Sequence, residues 1–358
     1  MRRQNDLWEQ VTTLENLHRA AYAVLRGKRS QLCAGEFFLN FEHNLLGLQH
    51  ELRAHAYQPG GYRTFWITDP KPRLISAASF RDRVVHHALV NVIEPLFEPR
   101  FIYHSYACRK EKGTHRALRQ FVEWARSSRY VLKMDIKKFF PSLDHTVLKE
   151  RLRCVIKDPQ VLWLCDLIIN ASNLQEPIIQ HFPADDLFTP LTRRHGIPIG
   201  NLTSQFFANV YLDTLDHFIK EKLHIKRYLR YVDDFCCFHD DKGKLTEVRA
   251  AIVEYLTHLR LRLNEGKSRV RQGKEGIEFL GFVVLPDRLR LNQTAVQRQR
   301  KRLRRLQDGY ADGVVRLPYV IASLQAWNAH AAQGTTWRLR TDVFRRATFV
   351  VNAVGTSP

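Results

Sequence analysis

Asp233 and Asp234 stand side by side in the run Tyr231-Val232-Asp233-Asp234. Arg227-Tyr228-Leu229-Arg230 precedes them and Phe235-Cys236-Cys237-Phe238 follows, a pattern that reads as strand, tight turn, strand. Two carboxylates at such a turn repel each other unless a cation sits between them or water screens them. A third carboxylate, Asp135, ends another apolar run, Tyr130-Val131-Leu132-Lys133-Met134. The three make a hard oxygen set suited to two magnesium ions roughly 4 Å apart, the arrangement that serves phosphoryl transfer. An Asp-Asp turn alone is an ordinary solvated hairpin tip, so the case depends on the segments around it.

Several segments fit the same chemistry. Asp135-Ile136-Lys137-Lys138-Phe139-Phe140 places a carboxylate at a strand end before a turn with two lysines, suited to a metal-bound triphosphate. Phe140 is expected under the sugar of an incoming nucleotide, where its ring excludes a 2′-hydroxyl and selects deoxynucleotides. One of Phe139 and Phe140 is expected to be plain core. Gly196-Ile197-Pro198-Ile199-Gly200-Asn201-Leu202-Thr203-Ser204-Gln205 reads as a loop entering a helix, with Thr203 or Ser204 as N-cap. Gly200 allows close backbone approach to a base or sugar. Lys267 either meets the leaving pyrophosphate or is a solvated surface lysine. Phe279-Leu280-Gly281-Phe282 reads as a tight hairpin whose glycine admits a nucleic-acid backbone, and Arg73 as a phosphate or base-stacking contact. His86 and His87 read as helix-surface or core histidines.

The elements that must position these groups follow from periodicity. Residues 1–57 are expected to be helical, with Phe38, Phe41, Leu45 and Leu48 at helical spacing, and Pro59-Gly60-Gly61 ends that region. A β-prone run at 62–68, a turn at Asp69-Pro70-Lys71-Pro72 and the segment Arg73-Leu74-Ile75-Ser76 come next. A helix is expected from Phe80 to Phe97. From 130 to about 285 strand-like and helix-like stretches alternate without a regular βαβ repeat, which favours an α+β sheet domain. Residues 174–194 are polar and read as an insertion loop. From 297 to 305 six of nine residues are basic, with Val296, Leu303 and Leu306 as the apolar edge of an amphipathic helix.

Composition narrows the class. The chain has 358 residues, and its 44% hydrophobic content excludes a largely disordered protein. Lysine and arginine outnumber acids 56 to 36, a net charge of +20, which points to a polyanionic partner and first to nucleic acid. The six cysteines form no CxxC pair, so neither a zinc ribbon nor a redox motif is supported. Adjacent Cys236 and Cys237 are expected on opposite faces of a buried strand. Free thiols suit a reducing cytoplasm, and no signal core or membrane-spanning run is read in the sequence.

Taken in order, these segments resemble a reverse transcriptase over about residues 60–290. Asp135, the Gly200 loop, Asp233-Asp234, Lys267 and Phe279-Leu280-Gly281-Phe282 match its palm motifs. Arg73 and Ala107-Cys108-Arg109-Lys110-Glu111-Lys112-Gly113-Thr114 match its fingers motifs. The resemblance implies a right-hand polymerase: a helical extension at 1–58, fingers at 59–129, an antiparallel palm with packed helices at 130–290, and a short basic helical thumb at 291–358. It implies two Mg²⁺ ions, with Mn²⁺ able to substitute, held by Asp135, Asp233, Asp234 and the Ile136 carbonyl. It further implies nucleotide contacts from Arg73, Lys137, Lys138, Phe139, Phe140, Ile199, Gly200 and Gln205. Nucleic-acid contacts would come from Arg109, Lys112, Phe279, Leu280, Gly281, Arg298, Lys301, Arg302 and Arg305.

Within that family the pattern is similar to the enzymes of diversity-generating retroelements. Most reverse transcriptases carry glutamine where this chain has Ile199, and proline where it has Gln205. Pro70-Lys71-Pro72-Arg73-Leu74-Ile75-Ser76 and Ser105-Tyr106-Ala107-Cys108-Arg109 with Gly113-Thr114-His115 carry the same resemblance. It implies copying of a template-repeat RNA into cDNA with misincorporation at adenines, deoxynucleoside triphosphates as substrates, and a small basic accessory variability protein as partner. No RNase H or endonuclease domain is expected after Leu291. The rival readings are another bacterial reverse transcriptase, of the retron, intron or phage-defence kind, and a non-catalytic RNA-binding scaffold.

Overall fold

The computed structural model describes residues 4–27, 31–68, 71–173, 178–183 and 185–350. Among the described residues four helices come first: α1 (Trp8–Thr12), α2 (Leu14–Leu25), α3 (Leu32–Leu39) and α4 (Phe41–Arg53). A hairpin of β1 (Arg63–Ile67) and β2 (Arg73–Ala77) follows, then α5 (Phe80–Phe97) and α6 (Thr114–Arg126). The apolar stripe of α2, Leu17, Ala20, Ala21 and Val24, shares one core with Val84, Val85, Ala88 and Leu89 of α5. The hydroxyl of Ser79 accepts from the Asp82 N–H and fixes where α5 starts. His86 is a core histidine; burial pushes its pKa down to about 4, so it sits neutral inside the helix packing. Asp69 and Pro70, expected in the hairpin turn, lie outside the described residues.

The central sheet is built from β3 (Tyr130–Asp135), β4 (Tyr228–Tyr231), β5 (Asp234–His239) and β6 (Arg269–Gln272), in the order β4-β5-β3-β6. Every pairing in it is antiparallel, as the α+β reading requires. Between β3 and β4 run α7 (Phe139–Ser142), α8 (His145–Arg153), α9 (Pro159–Asn170), α10 (Thr189–Thr192) and α11 (Leu202–His217), which continues into one π-helical turn, Phe218–Lys222. Between β5 and β6 lies α12 (Lys242–His258). Asp144, Asp158 and Asp241 cap α8, α9 and α12 with side-chain acceptors. Of the insertion expected at 174–194, residues 174–177 and 184 lie outside the described residues, and the single-turn α10 stands near its end.

Both faces of this sheet are buried, with the period of two that strands impose. Leu132, Met134, Tyr228, Phe235 and Cys237 face the main core. Val131, Leu229, Cys236 and Phe238 face a second core. Cys236 and Cys237 therefore do point to opposite sides, as buried hydrophobes. The second core is closed by α6 and a three-stranded antiparallel sheet, β7 (Ile277–Phe279), β8 (Phe282–Val284) and β9 (Leu289–Leu291). Three helices complete the described chain: α13 (Gln293–Ala311), α14 (Leu317–Ala331) and α15 (Trp337–Arg345). Leu303 and Leu306 are buried on α13 and its arginines face outward, the expected amphipathic split.

The expected cap of α11 is corrected. Thr203 and Ser204 lie inside the helix, and the cap position is Asn201, whose side chain does not cap. Asn201 instead accepts from the Ala78 N–H at 3.1 Å and donates to the Ser76 carbonyl at 2.9 Å. A buried amide can satisfy the edge of β2 only by giving up the local cap. That exchange ties the Gly200 loop to the β1–β2 hairpin.

Candidate active site

Local chemistry makes the turn between β4 and β5, and the register of β3 brings the third carboxylate to it. Asp135 pairs directly with Asp234 across the β3–β5 ladder, and the Ile136 N–H donates to the Asp233 carbonyl at 3.3 Å. Facing side chains on adjacent antiparallel strands lie about 5 Å apart at Cβ, so like charges here repel. Burial, reinforced by the charge of Asp135, holds the Asp233 carboxyl above the usual range. Burial also pushes Asp234 up to about 6, although Lys133 beside it opposes the shift. Val232, inside the turn, has φ of +58°. A β-branched residue in the left-handed region costs on the order of 1–3 kcal/mol, so the surroundings must enforce this geometry.

Two lysines stand where cationic charge is needed. Lys267 Nζ lies 2.7 Å from Asp135 Oδ2, and Asn264 Nδ2 donates to the same oxygen at 3.2 Å. Lys133 Nζ lies 3.2 Å from Asp234 Oδ2. The other oxygen of Asp234 is buried with no hydrogen-bond partner among the described residues. Among the described residues, no three His, Cys, Asp or Glu side chains form a group able to hold a metal ion. The residues nevertheless fit hard divalent cations in kind: crowded carboxylates, one orphaned oxygen, and ammonium groups at two of the three acids. Ile136 forms a bridge with Leu263 while its N–H serves Asp233.

The nucleotide-side candidates split. Arg73 begins β2 and is exposed, and its charge works against the rise of the Asp233 carboxyl. Lys137 and Lys138 are exposed just past Asp135. Phe139 is buried core, and Phe140 is half-buried. Ile199 donates no side-chain bond, but its carbonyl accepts from the Ser76 N–H at 3.0 Å, which fixes its backbone against β2. Gly200 has φ of +117°, and a Cβ there would meet Ile75 Cγ2 at 3.0 Å. The close approach that requires glycine is thus to β2. Gln205 is exposed on the first turns of α11.

Two expected nucleic-acid contacts are corrected. Arg109 is consumed inside the protein. Its side chain is 5% exposed, donates to Glu98 at 2.9 Å, and donates to the carbonyls of Ile102 at 2.7 Å and Ser105 at 2.9 Å. Such a guanidinium has no face left for phosphate. Arg109→Ala should therefore lower stability by about 1–3 kcal/mol in denaturant titration, because it takes the donor from the Ser105 carbonyl and the counter-ion from partly exposed Glu98, with RNA affinity of the folded fraction unchanged. Phe279 is buried and stacks on Phe121 at 4.3 Å, so it too is core. Leu280 and Gly281 form the expected tight turn, both with positive φ. Lys112 sits 3.3 Å over the Tyr103 ring and donates to the Tyr103 carbonyl. On α13, Lys301, Arg302 and Arg305 are exposed and Arg298 is half-buried.

Sequence reasoning missed Lys133 and the groups beneath the turn. Parity alone would have found Lys133, because residues two apart on a strand share a face with Asp135. Arg230 is fully buried and ion-paired with equally buried Asp216, which also accepts from the Tyr228 hydroxyl at 2.7 Å. A charged residue inside an apolar strand must find a partner, but nothing local names Asp216.

Comparison with known proteins gives the chain a family. The sequence profile of the reverse transcriptase (RNA-dependent DNA polymerase) family matches residues 68–284, more than half of the chain. Protein YkfC of Escherichia coli is 25% identical over 289 residues, covering 70% of this chain and 73% of its own. The group II intron-encoded protein LtrA of Lactococcus lactis is 25% identical over 181 residues, where this chain spans 28% of LtrA. An uncharacterized 91 kDa protein in the cob intron of Schizosaccharomyces pombe is 31% identical over 148 residues, 41% of this chain and 17% of that protein. Among solved structures, apo telomerase from Candida tropicalis matches with a TM-score of 0.49 and 14% identity, over 68% of this chain and 50% of that one. The architecture is that of a right-hand polymerase, with the acidic residues at the meeting of β3, β4 and β5. The chain belongs to the reverse transcriptase family.

Proposed function

We propose that this protein copies RNA into DNA, and that Asp135, Asp233 and Asp234 are its metal-holding carboxylates. The observation that carries the reading is the direct pairing of Asp135 with Asp234 beside the Asp233 turn, with one buried carboxylate oxygen unpartnered among the described residues. Residues 59–129 act as fingers, 130–290 as palm, 291–358 as a basic thumb, and 1–58 as a helical extension. Asp135 and Asp233 hold the two Mg²⁺ ions, with Asp234 and the Ile136 carbonyl assisting, and Mn²⁺ can substitute. When bound, these ions activate the primer 3′-hydroxyl and neutralise the triphosphate. The 3′-oxygen then forms a bond to the α-phosphorus as the bond to pyrophosphate breaks. Lys267 moves from Asp135 to the departing pyrophosphate, while Arg73, Lys137 and Lys138 meet the triphosphate charge. Gly200 and Gln205 border the nucleotide. Lys112, Leu280, Gly281 and the outer face of α13, with Arg298, Lys301, Arg302 and Arg305, track the template RNA and the cDNA.

Phe140 is the sugar-selecting ring in this reading, since it is the partner of the pair left half-buried. Phe140→Ala should raise ribonucleotide incorporation relative to deoxynucleotide by about 10- to 100-fold, read by competitive extension. An unchanged ratio removes Phe140 from that role.

The finer reading is mutagenic copying of a template-repeat RNA, as in diversity-generating retroelements, with a small basic accessory variability protein as partner. Its support is Ile199 in the Gly200 loop and Gln205 on the first turns of α11, where most of the family carries glutamine and proline. An aliphatic side chain removes hydrogen bonds near the nascent pair, so a mispair is rejected less strongly. Primer extension on an adenine-rich RNA template, with sequenced products, tests both levels. Errors concentrated at adenines support mutagenic copying, and faithful extension leaves only the polymerase. Ile199→Gln should lower adenine misincorporation several-fold; equal error rates in the two proteins remove Ile199 as a determinant. The likeness to an intron-encoded protein favours a second reading, intron-linked reverse transcription, which predicts faithful copying in the same assay.

A further inference from the structure

We propose that Arg230 is a positioning residue that sets the Asp233–Asp234 turn, using α11 as its fixed reference; this rests on the polymerase reading above. The guanidinium is entirely buried and its donors divide between two tasks. Nε donates to both oxygens of Asp216 at 2.8 and 3.0 Å, and Nη2 donates to Asp216 Oδ2 at 2.6 Å. Nη1 reaches the other way, to the Val232 carbonyl at 3.1 Å and to Asn209 Oδ1 at 3.1 Å. The Val232 carbonyl belongs to the peptide that leads into Asp233, and Val232 is the residue held at φ of +58°. Arg230 thus grips the strained peptide immediately before the first turn carboxylate.

The other end of the grip is rigid. Asn209 and Asp216 both lie on α11, a helix of 16 residues, about 24 Å long. Asn209 also donates to the Ala107 carbonyl at 2.9 Å. The Arg230 backbone joins the same segment, accepting from the Tyr106 N–H at 2.9 Å and donating to the His104 carbonyl at 3.0 Å. The first turn of α11 follows the Gly200 loop. One helix therefore carries the nucleotide-side loop at its start and the anchor of the acidic turn near its end. A lysine in place of Arg230 would keep a charge for Asp216, but a single ammonium lacks the planar fork needed to serve both tasks.

A purely structural ion pair predicts that activity follows stability; a positioning role predicts that the two separate. Arg230→Lys, Tyr228→Phe and Asn209→Ala are compared with wild type. Each is assayed for thermal midpoint, for the rise of that midpoint on adding Mg²⁺, and for single-turnover extension. Arg230→Lys is expected to lose about 100-fold in kcat, with the KM for deoxynucleotide within about twofold. Its Mg²⁺-induced rise should shrink. Tyr228→Phe removes a bond to Asp216 without touching the turn, and should lose midpoint while keeping kcat within about twofold. The proposal is overturned if kcat tracks midpoint across all three variants, or if Arg230→Lys keeps the full Mg²⁺ response. If Arg230→Lys does not fold, Asn209→Ala decides, since it spares the ion pair: a drop in kcat of about tenfold supports the role and an unchanged kcat overturns it. A wild-type chain that extends no primer strikes the polymerase reading instead, and extension by wild type beside an unimpaired Arg230→Lys strikes only the positioning role.

Discussion

Asp135→Asn is expected to lower primer extension by about 10³-fold while leaving RNA affinity within about twofold. The substitution keeps shape and removes one of three carboxylates crowded at the ends of β3, β4 and β5. Metal affinity in such a site comes from summed anionic oxygens, so the loss falls on the chemical step. RNA affinity comes from elsewhere, from the lysines and arginines behind a net charge of +20. The fold should survive. Asp135 faces Asp234 and raises the Asp233 carboxyl, so removing its charge relieves repulsion. Its own partner, Lys267, is about half exposed, and a solvated lysine tolerates losing a surface ion pair. Single-turnover extension, filter binding at several salt concentrations, and thermal unfolding together check the expectation. Extension at the wild-type rate would remove Asp135 from the catalytic set, and parallel loss of RNA binding would show a folding defect instead.

Asp216→Ala should cost about 3–5 kcal/mol of stability, the penalty for leaving a buried guanidinium without its counter-ion. Arg230 has no route to water, since both members of the pair are fully buried. The Tyr228 hydroxyl loses its acceptor at the same time. Equilibrium urea unfolding measures the loss. A change under about 1 kcal/mol would mean that water reaches Arg230 in the variant, contrary to its burial. Replacing both Asp216 and Arg230 by apolar residues of similar size should recover part of the stability, because the orphaned charge is then gone. Extension should not recover with it.

Much of this site was legible before any fold was known. The Asp-Asp turn, its flanking strands, the strand ending at Asp135, the span of α5 and the outward arginines of α13 all follow from short-range rules. Alternation of two, helical periodicity and turn composition act over a few residues, and a single chain displays them. Reading failed where a local preference met a distant demand. Thr203 and Ser204 are good caps, yet Asn201 takes the cap position and spends its amide on β2. Arg109 and Phe279 look like surface contacts in a basic chain, yet one is spent on Glu98 and the other on Phe121.

The sequence by itself determined which groups this protein owns and which local elements carry them: three aspartates at strand ends, a glycine loop entering a helix, and a basic amphipathic helix. Only the tertiary structure decided their company. Lys267 meets Asp135 across 132 residues of chain, and Asp135 meets Asp234 through the register of two strands. The physical reason is range. Backbone geometry and side-chain period are set by neighbours in sequence, whereas the partner of a buried charge depends on which segments the whole chain brings together.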